Sequence, residues 1–190
     1  MVVVTPRTCG GFAESGRIDA GPLSFEIAGR DGPALQDGSL STNHSSFVTR
    51  HSSFPDRGGA SVATAVWASS LDGEPIARSS RILLAHVTDS KNTGAQFDDP
   101  ECRVWLDYGK LPALVRHGKA RIELVFESED GGREAPAVFR LSPTGHRVAE
   151  VPAAFDAASR RLSFTADTGC DPNSATLFYE IVRRQSAGNN

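Results

Sequence analysis

The chain has 190 residues, a formal net charge of −3, 39% hydrophobic residues and 23% charged residues. That balance describes globular material with enough apolar side chains for a core, and it argues against a disordered tail or a nucleic-acid binder driven by phosphate contacts. No run approaches the roughly 18 apolar residues of a membrane helix, and Met1-Val2-Val3-Val4 is too short for a signal peptide.

In chain order, Val2-Val3-Val4-Thr5 is β-branched and ends at Pro6, which predicts a first strand. Cys9-Gly10-Gly11-Phe12 reads as a flexible corner after it. Leu23 to Ile27 alternates, with Leu, Phe and Ile on one face. Ser61 to Ser69 is small and β-branched, and Asp72-Gly73 then supplies the positive φ of a tight turn. Arg81 to Val87 reads as a strand buried on both faces, so these two segments predict a hairpin. Cys102 to Leu106 and Ala120 to Glu127 are further strand candidates. Val138 to Leu141 and Arg147 to Val151 flank the turn Ser142-Pro143-Thr144-Gly145. Arg161 to Thr165 alternates again, and Thr176 to Val182 is the last strand.

No segment holds apolar residues at helical spacing for three turns. The expected class is all-β. About ten short strands exceed what one open sheet carries, so a two-sheet β-sandwich with jelly-roll or immunoglobulin-like connections is expected as a single domain over residues 1–184. Residues 28–59, rich in Gly, Ser, Asp and Asn, form a long loop or excursion, and residues 185–190 a frayed tail.

Five histidines are candidates for acid/base or metal chemistry. His44 and His51 lie seven apart in the polar excursion, and a solvent-facing loop is their simpler account. His86 falls on an apolar strand and is expected to be a hydrogen-bonded core or edge residue, while His117 and His146 occupy turns. None has HExxH-type spacing. Asp98, Asp99, Glu101, Asp107 and the Glu127 to Asp130 cluster offer carboxylates for a hydrolytic pair, which requires two acids about 5 to 10 Å apart. Adjacent Asp98 and Asp99 before Pro100 read most simply as turn residues. Calcium between Asp89 and Asp99, with Asn92 and backbone carbonyls, is conceivable, although the segment lacks the spacing of a regular loop motif. No other cofactor or metal is expected.

Nucleophile elbows and phosphate-binding glycine loops are absent from the sequence. Cys9, Cys102 and Cys170 form no CxxC pair, and three buried thiols are favoured over one disulfide with one free thiol. Among the aromatics, core packing is expected for Trp67. Trp105 and Tyr108 stand three apart. On a straight strand they point to opposite faces, so packing is favoured, and a shared sugar-binding platform requires the chain to turn at Asp107.

Ala77-Arg78-Ser79-Ser80-Arg81-Ile82-Leu83-Leu84, continuing to the Asn92-Thr93-Gly94 turn, and Gly109-Lys110-Leu111-Pro112-Ala113-Leu114-Val115 carry a family likeness. Together with Thr5-Pro6-Arg7-Thr8, Gly10-Gly11 and the hairpin from Val138 to Arg147, this pattern resembles the β-sandwich domain that follows the catalytic barrel in some large bacterial glycoside hydrolases. The resemblance implies a secreted or cell-surface, carbohydrate-processing setting, with a catalytic domain or a polysaccharide as partner. It carries over no catalytic residue, because in such enzymes those residues sit on the barrel. Three functions follow as expectations. The first is a non-catalytic accessory domain that stabilises the catalytic module or contacts polysaccharide. The others are a small jelly-roll hydrolase using Asp98, Asp99 or Glu101 beside the Asn43 to His51 loop, and a free-standing carbohydrate-binding module using Trp105 and Tyr108. Two opposed acids in a groove favour the enzyme, an exposed aromatic strip the binder, and a flat apolar patch a docking domain.

Overall fold

The computed structural model describes residues 1–5, 7–13, 16–27, 64–98, 104–127, 135–170 and 175–183. Through these the chain runs as β1 (Val2–Val4), β2 (Thr8–Ala13), β3 (Gly16–Ala20), β4 (Leu23–Ile27), β5 (Thr64–Ser70), β6 (Arg81–Val87), β7 (Ser90–Thr93), β8 (Gln96–Phe97), β9 (Trp105–Asp107), β10 (Lys110–Val115), β11 (Lys119–Val125), β12 (Ala137–Leu141), β13 (Arg147–Val151), β14 (Ala153–Asp156), β15 (Arg161–Asp167) and β16 (Phe178–Val182). The all-β expectation holds. Sixteen strands replace about ten, because several are only two to four residues long.

Every strand pair is antiparallel. A seven-stranded sheet runs β1-β2-β5-β6-β16-β12-β13, and a five-stranded sheet runs β14-β15-β11-β4-β3. Alternation decides which residues face inward. Val66 and Ala68 of β5, Ile82 and Leu84 of β6, and Tyr179 and Ile181 of β16 point from the larger sheet. Leu23 and Phe25 of β4, Ile122 and Leu124 of β11, and Leu162 and Phe164 of β15 answer from the smaller one, and all lie in one buried cluster. This is a β-sandwich with its core between the two sheets. The chain crosses between the two sheets after β2, after β4, between β6 and β11, after β11, at Pro152 between β13 and β14, and after β15.

The hairpin predicted around Asp72-Gly73 is present as β5 and β6, paired from Ala65–Val87 to Ser70–Ile82, with Gly73 at φ 82°. Three local expectations change. Cys9-Gly10-Gly11-Phe12 is strand β2 and not a corner, because its two glycines pair with Val66 and Trp67 of β5. β6 is fully buried on one face only, since Leu83 and Ala85 on the other face are half-buried. Trp67 is not in the core. It lies half-buried on the outer face of the seven-stranded sheet, opposite Gly10, one residue out of phase with the buried Val66 and Ala68. The excursion at 28–59 and the tail at 185–190 lie outside the described residues.

Candidate functional site

Between β6 and β11 the chain leaves the sandwich as an arm in which β7 pairs with β10 and β8 with β9. The arm is irregular by chemistry. Asp107 turns its carboxylate back to accept the Gly109 N–H at 2.8 Å, while the Asn92 side-chain amide donates to the Tyr108 carbonyl at 3.1 Å. Gly109 takes φ 68°, and a side chain there would collide with the Thr93 carbonyl. Thr93 Oγ1 donates to the Pro112 carbonyl at 2.7 Å, tying the two strands again.

The chain thus turns after Asp107, and Trp105 and Tyr108 meet. Their ring centroids are 5.1 Å apart at an interplanar angle of 34°. Phe97 meets Trp105 edge-on at 4.9 Å and 62°, and Lys91 Nζ stands 5.9 Å from the Phe97 ring. The expectation that Trp105 and Tyr108 pack away from solvent is overturned, since they are 42% and 72% exposed. Val104, Leu106 and Leu111 are exposed beside them. A tilted pair of accessible rings offers apolar faces to the C–H side of a sugar ring, with the Tyr108 hydroxyl at its margin. Phe97 escaped the sequence analysis because β8 is two residues long and alternation cannot be read from two positions.

Asp98 is exposed, and its backbone N–H donates to the Val104 carbonyl at 3.1 Å. His44, His51, Asp99, Glu101 and Cys102 lie outside the described residues. Asn92, weighed as a calcium ligand, has its amide on Tyr108. Among the described residues no group of three or more His, Cys, Asp and Glu side chains is arranged to hold a metal ion. Cys9 and Cys170 are free thiols. Cys9 is buried, and burial pushes its thiol up to about 11. Cys170 is exposed, contrary to the expectation of three buried thiols, and accepts a bond from Arg140 Nη1 at 2.8 Å.

The root of the arm is a buried polar knot. Thr88 Oγ1 and Thr168 Oγ1 both donate to the Arg116 carbonyl, at 2.5 and 3.0 Å, and the Arg116 N–H donates to the Asp89 carbonyl at 2.8 Å. The Gly118 N–H donates to Thr168 Oγ1 at 2.9 Å, and Arg116 Nη2 lies 3.7 Å from Asp89. Beside it His117 Nε2 is 2.8 Å from Asp167 Oδ1, which also accepts the Gly169 N–H at 2.8 Å. The Tyr179 hydroxyl accepts the Asp167 N–H at 2.7 Å and donates to the Asp167 carbonyl at 3.0 Å. Burial alone would raise the Asp167 pKa, but the His117 and Gly169 bonds hold it below the usual carboxylate value. His86 differs from these groups. It is fully buried, as expected, yet neither ring nitrogen has a hydrogen-bond partner among the described residues.

Compared with protein-family models, with curated proteins and with solved structures, the chain finds no match.

Proposed function

We propose that this chain is a non-catalytic accessory β-sandwich domain of a glycoside hydrolase, acting at the cell surface or outside the cell, which contacts polysaccharide through Trp105 and Tyr108. The observation that carries this reading is the pair of exposed, mutually tilted rings on an arm outside the sandwich. An exposed pair of rings is costly to hydrate and is ordinarily retained where a ligand covers it.

The test is a polysaccharide panel read for retention of the purified chain and for release of reducing sugar. Retention without release is the expected result. Replacing either ring, Trp105→Ala or Tyr108→Ala, is expected to weaken retention by about tenfold, the loss of one stacking contact of about 1.4 kcal/mol. Release above a heat-killed control overturns the reading and favours the hydrolase, with Asp98, Asp99 and Glu101 as the first residues to replace.

Docking onto a catalytic module is supported by a second observation. The outer face of the seven-stranded sheet carries Phe12, Val87, Trp67, Leu83, Phe139 and Phe178, of which Phe12 and Val87 are exposed and the rest half-buried. An accessory domain has use for both surfaces, one against its own enzyme and one against the polymer.

A further inference from the structure

His86 holds its imidazole where no group among the described residues satisfies it, at the point from which the aromatic arm leaves the sandwich. It ends the buried face of β6, opposite Val66 of β5, and Thr88, two residues on, ties the arm to Arg116. The charged and titratable groups at this root come from five elements. The turn after β6 contributes Asp89, β15 contributes Asp167, the segment leading into β11 contributes Arg116 and His117, β11 itself contributes Lys119, and β16 contributes Tyr179; β5 contributes none. Among the described residues Asp167 is the anion that acts on the ring, and His117, Lys119, Gly169 and Tyr179 already engage it, while Asp89 pairs with Arg116.

We propose that the root of the arm is an acid-sensitive latch: protonation of His86 favours a state in which the Thr88–Arg116–Thr168 knot is open and the arm carrying Trp105 and Tyr108 is released. A cation at this position has no hydrogen-bond acceptor among the described residues of the closed knot, whereas an opened root gives it water. The closed state is thus the weaker proton binder, and lowering the pH draws the equilibrium toward opening. Burial holds the ring neutral down to about pH 4, against an ordinary value of 6.5, with Asp167 partly opposing the shift and His117 adding to it. The latch therefore loosens across the interval from pH 6.5 to 4.

The consequence for ligand contact rests on the function proposed above, but the latch itself is read without any carbohydrate. Hydrogen exchange of the unliganded chain, corrected for the intrinsic pH dependence of exchange, is followed for amides of β7 and β10 and for core amides of β11 and β15. Between pH 7 and 4.5 arm protection is expected to fall by about tenfold or more, ahead of the core. In His86→Leu and His86→Phe the arm is expected to lose little protection over the same interval. Equal loss in those variants overturns the latch. Should neither variant fold, the wild-type profile decides: arm protection independent of pH between 6.5 and 4.5, or lost in step with the core, overturns it as well. Polysaccharide retention of the wild type at pH 7 is measured separately, so a failure of sugar binding leaves the exchange result standing.

Discussion

At Gly10 the missing side chain is what makes room for an indole. A Cβ there would lie 2.7 Å from the Trp67 ring and press on the Val66 carbonyl, which is fixed in the β2–β5 ladder. Gly10→Ala is expected to cost about 1 to 3 kcal/mol, the usual range for overpacking, read as a lower urea midpoint at unchanged m-value. An unchanged midpoint would mean that both the Trp67 ring and the β2–β5 backbone at Val66 give way at no cost. Glu180 makes a different kind of prediction. It is buried between Arg81 and Arg147, which reach it from 99 and 33 residues away, with Arg147 Nε at 2.6 Å. The Arg147 bond draws its pKa below 4.5, burial opposes and the Arg81 bond adds. A depressed carboxylate stabilises the fold above its unfolded value, and that contribution is lost as the pH falls through the folded value. Glu180→Gln should therefore flatten the stability profile below about pH 4.5 and leave intact the His86-dependent part between 6.5 and 4. Unfolding midpoints across pH 3 to 7 check both; a profile unchanged by Glu180→Gln would remove the carboxylate from the acid limb. Neither residue could be assigned this role from sequence. A glycine in a Gly-Gly pair reads as a corner until a tryptophan is known to lie across from it, and Glu180 looks like an ordinary polar position until its distant arginines are brought beside it.

The elements legible in the sequence were those whose inner faces alternate large aliphatic and aromatic residues. β4, β6, β13 and β15 begin where expected and β12 one residue earlier, because burial on one face imposes a period of two. β2, β7 and β10 were missed for a common reason: Thr8–Ala13, Ser90–Thr93 and Lys110–Val115 are held by pairing and side-chain bonds more than by apolar alternation, and most of β10 is exposed. The candidate site shows the same boundary. The condition for a platform, a turn at Asp107, could be stated from the spacing of Trp105 and Tyr108. Whether it was met depended on Asn92 and Thr93 of a strand that left no apolar signature. Gly109 is the position on which this turn depends. With φ 68° and the Thr93 carbonyl against the place a Cβ would take, Gly109→Ala is expected to cost about 1 to 3 kcal/mol of local strain. It should also separate the two rings, lowering the near-ultraviolet dichroism of the Trp105–Tyr108 pair and the retention on polysaccharide together. Loss of retention with unaltered ring dichroism would locate sugar contact away from the platform.

The whole molecule is asymmetric in a way that bears on partners. The outer face of the five-stranded sheet is built from charge. Glu123 accepts bonds from Arg17 at 3.0 Å and Arg161 at 2.8 Å, with Arg121 at 3.6 Å, and Asp19 pairs with Arg17 at its margin. Such a face is content in water, and exposed pairs of this kind add little to stability. The opposite outer face aligns Gly10, Trp67, Ala85, Phe178 and Leu141 in register across five strands, with Leu83 and Phe139 in the next row. Its charges include Glu180 with the arginines that cover it, and Glu150 opposite Phe139, and Arg147 stacks on Phe139 at 4.4 Å. A sandwich needs one apolar face per sheet to make its core, so a second apolar face on one sheet has no role in holding the two together. The isolated chain is therefore expected to bind the apolar dye anilinonaphthalene sulfonate at neutral pH while still unfolding cooperatively. Two apolar surfaces could bind it, and substitution separates them. Phe12→Asp with Val87→Asp, at positions 45% and 39% exposed, should remove most of the fluorescence at little cost in stability if the sheet face is responsible. Leu106→Asp with Leu111→Asp, at 64% and 80% exposed on the arm, should then remove little. The reverse pattern would make the arm the principal apolar surface, and would count in favour of a protein partner at the position now assigned to polysaccharide, because aliphatic side chains among the rings suit a protein surface better than a hydroxyl-rich one.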